Sequence, residues 1–234
     1  YDQTRADFTF SRGSNLAATR VNSDGLIEKY RENLLTESNN FSDSDWIKYN
    51  SNVTSGQEGY DGTNNAWLFN ATSAGGQLIQ SISLGGVHTA SVYAKAGTAG
   101  GIRLRIDQTS DANAYVNLTD GSVQLQTSTI DIDIQELNNG WFRITYALNA
   151  SNAIGFYLYP TDGNTTSTAG TIYIQNAQLE SGMVSTDYLD SGATTATAGV
   201  LENTPRIDYS SGAGALLLEP QRTNVITQSE YFGA

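Results

Sequence analysis

Short stretches in which apolar and polar residues alternate run along most of this chain, and this period of two constrains the fold more than any other feature. A β-strand points successive side chains to opposite faces, so the alternation predicts strands with one buried face; long helical periodicity is absent. Clusters of Gly, Asn and Asp separate the candidate strands, which lie at 8–10, 66–69, 77–84, 89–96, 101–107, 122–127, 141–148, 154–160 and 170–180. Many short strands joined by turns predict an all-β fold, and we expect an antiparallel jelly-roll β-sandwich flanked by β-hairpins.

The two hairpins are predicted outside the sandwich. In 18–30, Ser23, Asp24 and Gly25 supply turn chemistry between two alternating arms, and in 205–220 the sequence Ser-Ser-Gly-Ala-Gly closes a second pair of arms. The predicted organisation is an N-terminal strand and hairpin segment at 1–32, the sandwich at 33–190, a linker and hairpin at 191–221, and the first strand of a following repeat module at 222–234.

The last of these boundaries comes from an internal repeat. RENLLTESNNF at 31–41 is echoed by RTNVITQSEYF at 222–232, and GLIE at 25–28 is echoed by GVLE at 199–202. The echoes are offset by 191 and 174 residues, and the difference matches the length of the 205–220 hairpin, which only the second copy contains. Repeated segments are usually stacked units, so we expect a piece of a longer, repeated protein; chance similarity in a chain of low complexity is the alternative.

Charge and residue counts exclude several classes of function. The net charge of −12 and the pI of about 4.3 oppose binding to nucleic-acid phosphates or to an anionic membrane surface. Acidic loops could hold a hard cation such as Ca²⁺, although the same charge also keeps an extracellular protein soluble. With no cysteine and one histidine, the chain lacks the residues for disulfides, thiol chemistry and Cys- or His-based zinc clusters.

Five stretches of the middle region carry a resemblance to a known family. They include the strings NLLTES, DGTNNAW, TASVYAKAG and IYIQNAQLE, and they lie at 33–46, 61–68, 82–97, 141–143 and 172–188. These stretches, with the flanks at 18–28 and 203–224, resemble a jelly-roll module common in bacteriophage tail and other virion structural proteins. The resemblance implies a non-enzymatic virion component whose sandwich is similar to carbohydrate-binding modules. In that family the hairpin directly precedes the sandwich, whereas the first copy here lacks it.

One outer face of the predicted sandwich is a candidate ligand-binding surface. If the aliphatic residues of three strands face the core, the alternate residues point outwards, and these are Tyr93, Arg103, Arg105, Tyr157 and Tyr159. Aromatic rings with hydrogen-bonding neighbours suit the apolar C–H faces and hydroxyl groups of sugars, and they suit protein surfaces as well. Tyrosines that only cover the sheet or meet a neighbouring subunit would produce the same pattern.

Catalytic chemistry has little support in the sequence. A Ser-His-Asp or Cys-His arrangement would need His88, which stands at the start of a candidate strand without a nucleophile elbow nearby. Asp131 and Asp133 could act as paired carboxylates in glycoside hydrolysis, but they alternate with isoleucines and are expected to share a solvated strand face. We therefore keep a glycan-cleaving enzyme as a remote alternative.

A structural Ca²⁺ ion is implied by the resemblance, because sugar-binding jelly rolls often hold one near their first and last strands. The candidate ligands are Glu37, Asp61 and Glu180, with backbone carbonyls completing the oxygen shell. Ordinary surface acids are the alternative interpretation, and Asp61 is also placed to cap the turn at 61–67.

The sequence therefore predicts a virion or extracellular module of a phage tail, fibre or other appendage, with a sandwich that binds glycan. Expected partners are further copies of the chain, other virion proteins or a cell-surface glycan, and neither nucleic acid nor membrane. The alternative is a purely architectural repeat module of an extracellular bacterial filament or matrix protein. The leucines of ALLLEP at 215–220, which are too apolar for a free edge, would then lie at an assembly contact.

Overall fold

The computed structural model describes residues 19–21, 23–25, 27–199 and 207–216, and no described residue lies in an α-helix. The strands are β1 (Thr19–Val21), β2 (Ile27–Lys29), β3 (Arg31–Asn33), β4 (Ile47–Tyr49), β5 (Ser51–Gln57), β6 (Ala66–Ala71), β7 (Gln77–Ala96), β8 (Gly101–Asp107), β9 (Ala112–Asn117), β10 (Val123–Thr127), β11 (Thr129–Glu136), β12 (Trp141–Thr161), β13 (Gly170–Ser181), β14 (Ala196–Ala198), β15 (Ile207–Asp208) and β16 (Ala215–Leu216). A 3₁₀ turn at Asn138–Gly140 joins β11 to β12. In this part of the chain, no helix is long and apolar enough to cross a membrane.

The long strands β7 and β12 are shared by the two sheets of the sandwich. They pair antiparallel from Trp141 opposite Lys95 to Leu158 opposite Leu78. The first half of β12 also pairs with β11 and its second half with β8, while β7 pairs with β4 at its start and with β13 at its end. The hydrogen bonds join ten strands into one continuous sheet, which the shared strands divide into two layers. We call the layer β11–β12–β7–β13–β6–β5 the first sheet and the layer β10–β9–β8–β12–β7–β4 the second sheet. The predicted all-β, antiparallel sandwich is confirmed.

Two pairs of predicted strands are each one continuous strand. The predictions at 77–84 and 89–96 are the two halves of β7, and those at 141–148 and 154–160 are the two halves of β12. The interruption in β7 is a glycine pair, in which Gly86 has a φ of +88°, and the register against β12 shifts between Ala150 and Gly155. Glycine here bends a strand from one sheet into the other, where the pattern had predicted a turn.

The inner faces of both sheets supply one hydrophobic core. Val92 and Ile144 of the first sheet and Leu104 and Phe156 of the second are fully buried in it. Trp46 closes the core between the sheets, with its ring centroid 6.2 Å from that of Phe156. Each such side chain contributes about 1.5–3 kcal/mol when it is fully buried.

Two indole N–H groups fix the loop that follows β3. Trp46 donates to the Glu37 carbonyl at 3.0 Å, and Trp67 donates to the Asn39 carbonyl at 2.8 Å. A buried indole needs such a partner, so both tryptophans tie this loop to the sandwich and are structural.

Contacts divide the chain into two compact units, Asn33–Ala196 and a second unit drawn from Tyr1–Glu32 and Thr197–Ala234. The first is the sandwich. In the second, β1 pairs with β2 and β15 pairs with β16, which confirms both predicted hairpins in their described parts. The predicted strand at 8–10, the end of the leucine-rich segment at 217–220 and the predicted following module at 222–234 lie outside the described residues.

Candidate functional site

Four of the five predicted ligand-binding residues come together on the outer face of the second sheet. The strand register places Tyr157 of β12 opposite Arg105 of β8, and Tyr159 opposite Arg103. Tyr115 of β9 lies opposite Arg103 on its other side. We call these five residues the tyrosine–arginine face. Tyr115 is not among the predicted residues, although it alternates in β9 with buried Ala and Val side chains, and that alternation predicts an outward ring.

Aromatic rings and guanidinium groups interleave on this face. The Arg103 guanidinium lies 5.2 Å from the ring centroid of Tyr115 and 4.9 Å from that of Tyr159, so it is held between two rings. Arg105 lies 4.9 Å from the Tyr157 centroid. The Tyr157 and Tyr159 rings are parallel to within 8°, with centroids 6.1 Å apart. Cation–π contacts, at about 0.5–1 kcal/mol each on a surface, restrict these side chains before any ligand binds.

The two arginines of the face differ in their charged partners. Arg105 donates from Nε to Asp111 at 2.8 Å and from Nη2 to Asp107 at 3.0 Å. Burial lowers the pKa of Arg105, but its hydrogen bonds to Asp111 and Tyr159 outweigh burial and raise that pKa above its usual value. Arg103 instead donates from Nε and Nη2 to the amide oxygen of Asn113, at 2.9 and 2.8 Å. Within the described residues, Arg103 has no carboxylate partner.

Exposed apolar side chains border the tyrosine–arginine face at both edges of the sheet. On β4, Ile47 is 51% and Tyr49 is 55% exposed, and on β10 Leu125 is 43% exposed. The row from Ile47 to Thr127 crosses six strands. At a strand spacing of about 4.8 Å this row is about 24 Å long, enough for several sugar units.

Tyr93 does not belong to this face, which corrects the prediction. It lies opposite Arg143 and Gln175 on the outer face of the first sheet, because β7 has already passed into that sheet when it reaches Tyr93. Tyr93 is 7% exposed, and Tyr60 stacks on it with centroids 3.9 Å apart and ring planes within 7°. Burial raises the pKa of Tyr93 to about 12, although the charge of Arg143 opposes the change.

Residues 183–192 lie over this outer face of the first sheet, and we call them the strap. Glu180 of β13 accepts hydrogen bonds from the Thr186 amide at 3.0 Å and from the Thr186 hydroxyl. Gln178, two residues earlier on the same face, accepts from the Leu189 amide at 2.6 Å. The outward side chains of Gln178 and Glu180 at the end of β13 therefore bind the strap.

The three predicted calcium ligands are not brought together. Glu37 and Asp61 line one depression of about 440 Å³, whereas Glu180 lies outside that lining and is bonded to Thr186. The depression is rich in amides and acids, and its lining is Glu37, Asn39, Asn40, Asp61, Asn65, Gln175, Asn176, Tyr188, Asp190, Ser191 and Gly192. Across the ranges that the structure describes, no group of three or more Asp, Glu or His side chains is placed to hold a metal ion. Calcium binding stays a prediction of the sequence resemblance.

Asp61 has a structural task of its own. Its Oδ1 accepts from the Thr63 amide at 3.1 Å and from the Thr63 hydroxyl at 2.7 Å, so it caps its turn as the sequence predicts. Burial raises the pKa of Asp61, but the hydrogen bonds from Thr63 outweigh burial and lower it below its usual value.

The residues weighed for catalysis lie on regular strands. His88 is 7% exposed in β7, with Nδ1 3.1 Å from the Gly86 carbonyl. Asp131 and Asp133 are exposed on β11, while Ile132 and Ile134 pack against the core, which confirms their predicted alternation.

Comparison with known proteins gives structural likenesses only. No protein-family model matches the chain, and the search of curated proteins finds no match. Among solved structures, one likeness is the CBM22-1–GH10 modules of Clostridium thermocellum xylanase 10B complexed with xylohexaose, at 14% identity and TM-score 0.39, covering 63% of this chain and 27% of that one. Another is the CBM22-1 xylan-binding domain of Paenibacillus barcinonensis Xyn10C, at 12% identity and TM-score 0.40, covering 66% and 95%. A third is the enzymatically active domain of bacteriophage CBA120 tailspike protein 4, at 15% identity and TM-score 0.36, covering 65% and 21%. Likenesses this distant carry no functional argument, so function is argued from the site.

Proposed function

We propose that the sandwich is a non-catalytic carbohydrate-binding module that takes a glycan on its tyrosine–arginine face. The observation that carries the proposal is the ordered row of three tyrosines and two arginines on one sheet face, in which Tyr159 is buried and the other four side chains are part-exposed. Tyr157 and Tyr115 are part-exposed, so their rings are accessible to a ligand.

Sugars present apolar C–H faces that pack on aromatic rings and hydroxyl groups that need hydrogen-bonding partners. Tyrosine supplies both kinds of contact, and arginine supplies several donors in a fixed plane. Because cation–π contacts already hold the rings and guanidinium groups in place, little side-chain entropy is lost when a ligand binds.

A glycan array followed by isothermal titration calorimetry of the hits tests this proposal. We expect saturable binding of at least one oligosaccharide, with its protons contacting tyrosine rings in saturation-transfer NMR. The chain length of the bound glycan should not change on prolonged incubation. If no glycan of a broad array binds, or if the bound glycan becomes shorter, the result would count against a non-catalytic binding module.

We also propose that the module belongs to a virion appendage and works outside a cell, in an assembly of several copies or with other virion proteins. The support for this finer role is the sequence resemblance and the two echoes at 25–41 and 199–232. Light scattering on the chain tests it, with a stable oligomer as the expected result. Self-association without glycan binding would favour the purely architectural alternative, and a monomer at high concentration would contradict both assembly roles.

A further inference from the structure

Arg103 and Arg105 stand two residues apart on the same strand face, but they differ in how many of their nitrogen atoms have a hydrogen-bond partner. Arg105 donates from Nε and Nη2 to two aspartates and from Nη1 to the Tyr159 hydroxyl at 3.3 Å. Every nitrogen of Arg105 is therefore engaged, and its charge is matched by Asp107 and Asp111.

Arg103 keeps donors free. A guanidinium carries five N–H groups, and Arg103 directs one from Nε and one from Nη2 at the Asn113 oxygen. No described residue accepts a hydrogen bond from Nη1 of Arg103. This nitrogen is not fully buried, so it is accessible to solvent. The open end of the group is thus the pair Nη1 and Nη2.

The environment of Arg103 fixes the direction of that open end. The rings of Tyr115 and Tyr159 on either side leave the guanidinium edge as its accessible part. Two parallel N–H groups on a planar, oriented guanidinium match the two oxygens of a carboxylate, and such bidentate pairs are stronger than neutral hydrogen bonds.

We infer that the tyrosine–arginine face selects a glycan bearing a carboxylate, as in a uronic or sialic acid, and that Arg103 binds this carboxylate. The inference rests on the glycan-binding function proposed above, and it names the class of sugar that the face takes. The part-exposed rings of Tyr115 and Tyr157 would pack against the neighbouring sugar rings.

The net charge of −12 does not oppose this binding at close range. At physiological ionic strength exposed charges are screened over about 8 Å, so distant acids contribute little. The acids nearest to the face along the chain, Asp107 and Asp111, are already paired with Arg105.

The test uses the whole chain and pairs of ligands that differ only in charge. Uronic-acid oligosaccharides are titrated beside the same oligosaccharides after chemical reduction of their carboxyl groups, and a sialylated oligosaccharide is titrated beside its carboxyl-reduced form. We expect at least one acidic form to bind about tenfold to a hundredfold more tightly than its neutral form. The difference should shrink as salt is added. Whichever acidic oligosaccharide binds, the uronic-acid or the sialylated one, identifies the kind of sugar that carries the carboxylate.

The possible outcomes separate this inference from the function it rests on. Equal or tighter binding of the neutral forms overturns the role of the carboxylate and leaves glycan binding intact. Binding of no glycan at all overturns both.

Variants assign the effect to Arg103. Arg103→Gln should bring the affinities for the acidic and neutral forms to within about twofold of each other, because it removes the positive charge and the two parallel N–H donors. Arg105→Lys keeps a charge beside its aspartates, so it should change both affinities together and preserve their ratio. Arg103→Lys keeps the charge but not the two parallel N–H donors, so we expect an intermediate ratio of acidic to neutral affinity that still depends on salt. Thermal unfolding checks each fold; if the Gln variant fails to fold, an unchanged ratio in Arg103→Lys overturns the assignment.

Discussion

The outer faces of the two sheets carry the same pair of residue types in two different settings. On the first sheet Arg143 lies 5.5 Å from the Tyr93 ring, and on the second Arg105 lies 4.9 Å from the Tyr157 ring. Tyr93 is buried under Tyr60, whereas Tyr157 is part-exposed. A tyrosine–arginine pair on a strand is therefore a packing contact in one place and an accessible surface in the other.

Two segments account for this difference: the loop between β5 and β6, which carries Tyr60, and the strap, whose Tyr188 packs against the cluster of Tyr93 and Trp141. The strap is held by hydrogen bonds to Glu180 and Gln178, and Arg143 donates to the Thr186 carbonyl within it. The side chains of the second sheet find their partners on their own face, as Arg103 does with Asn113. Whether an outward residue is buried thus depends on a third element that the strand itself does not encode.

Truncating the covered tyrosine should have the largest effect. Tyr93→Ala removes a ring stacked on Tyr60 and leaves a cavity, so we expect a loss of about 3 kcal/mol in the free energy of unfolding, measured by urea denaturation. Glycan affinity should be unchanged in the folded protein. A stable Tyr93→Ala variant that loses glycan binding would reverse the roles assigned to the two faces.

The alternation of the strands was sufficient to predict the second face but not the first. Arg103, Arg105, Tyr157 and Tyr159 fall together because β8 and β12 pair in a register that matches their alternating patterns. The same pattern placed Tyr93 with them, because sequence alone does not show that β7 passes from one sheet to the other at its glycine pair. The hydrogen bonds of Glu180 were also out of reach, since they depend on where the following ten residues fold back.

Releasing the strap should have the next largest effect. Glu180→Ala leaves the buried amide of Thr186 without an acceptor and its hydroxyl with only the Asp187 carbonyl at 3.3 Å, and an unsatisfied buried group costs about 1–3 kcal/mol. We expect the free energy of unfolding to fall by about 2 kcal/mol and protease cleavage to begin within 183–192. Glu180→Gln keeps one acceptor oxygen and should lose about half as much. Equal stability of both variants and the parent would show that the strap is not held at this point.

Truncating the exposed tyrosine should act on binding rather than on stability. Tyr157→Ala removes a part-exposed ring from the second face, so we expect glycan affinity to fall by about 1.5 kcal/mol, or roughly tenfold, in calorimetry. Unfolding free energy should fall by less than in Tyr93→Ala, which is the matched control on the other face. A large stability loss with unchanged binding would make this ring structural as well.

High pH provides the finest comparison, because burial raises the pKa of Tyr93 to about 12. An unfolded tyrosine ionises near pH 10, so below that pH the folded and unfolded chains bind the same proton and the shift has no effect on stability. Between about pH 10 and 12 the unfolded chain loses its proton first, so the stability contribution of Tyr93 decreases as pH rises.

Burial raises the pKa values of Tyr146 and Tyr188 as well, and lysines titrate in the same range, so the stability of the parent alone does not isolate the contribution of Tyr93. The Tyr93→Phe variant isolates the contribution of Tyr93, since the ring stays and only the ionisable hydroxyl is lost. The parent should lose more stability than this variant on going from pH 10 to 12, by about 1 kcal/mol. If the stability of parent and variant, measured by urea denaturation, falls equally across this range, the Tyr93 hydroxyl ionises as readily in the folded chain as in the unfolded chain, and its burial on the first face is contradicted.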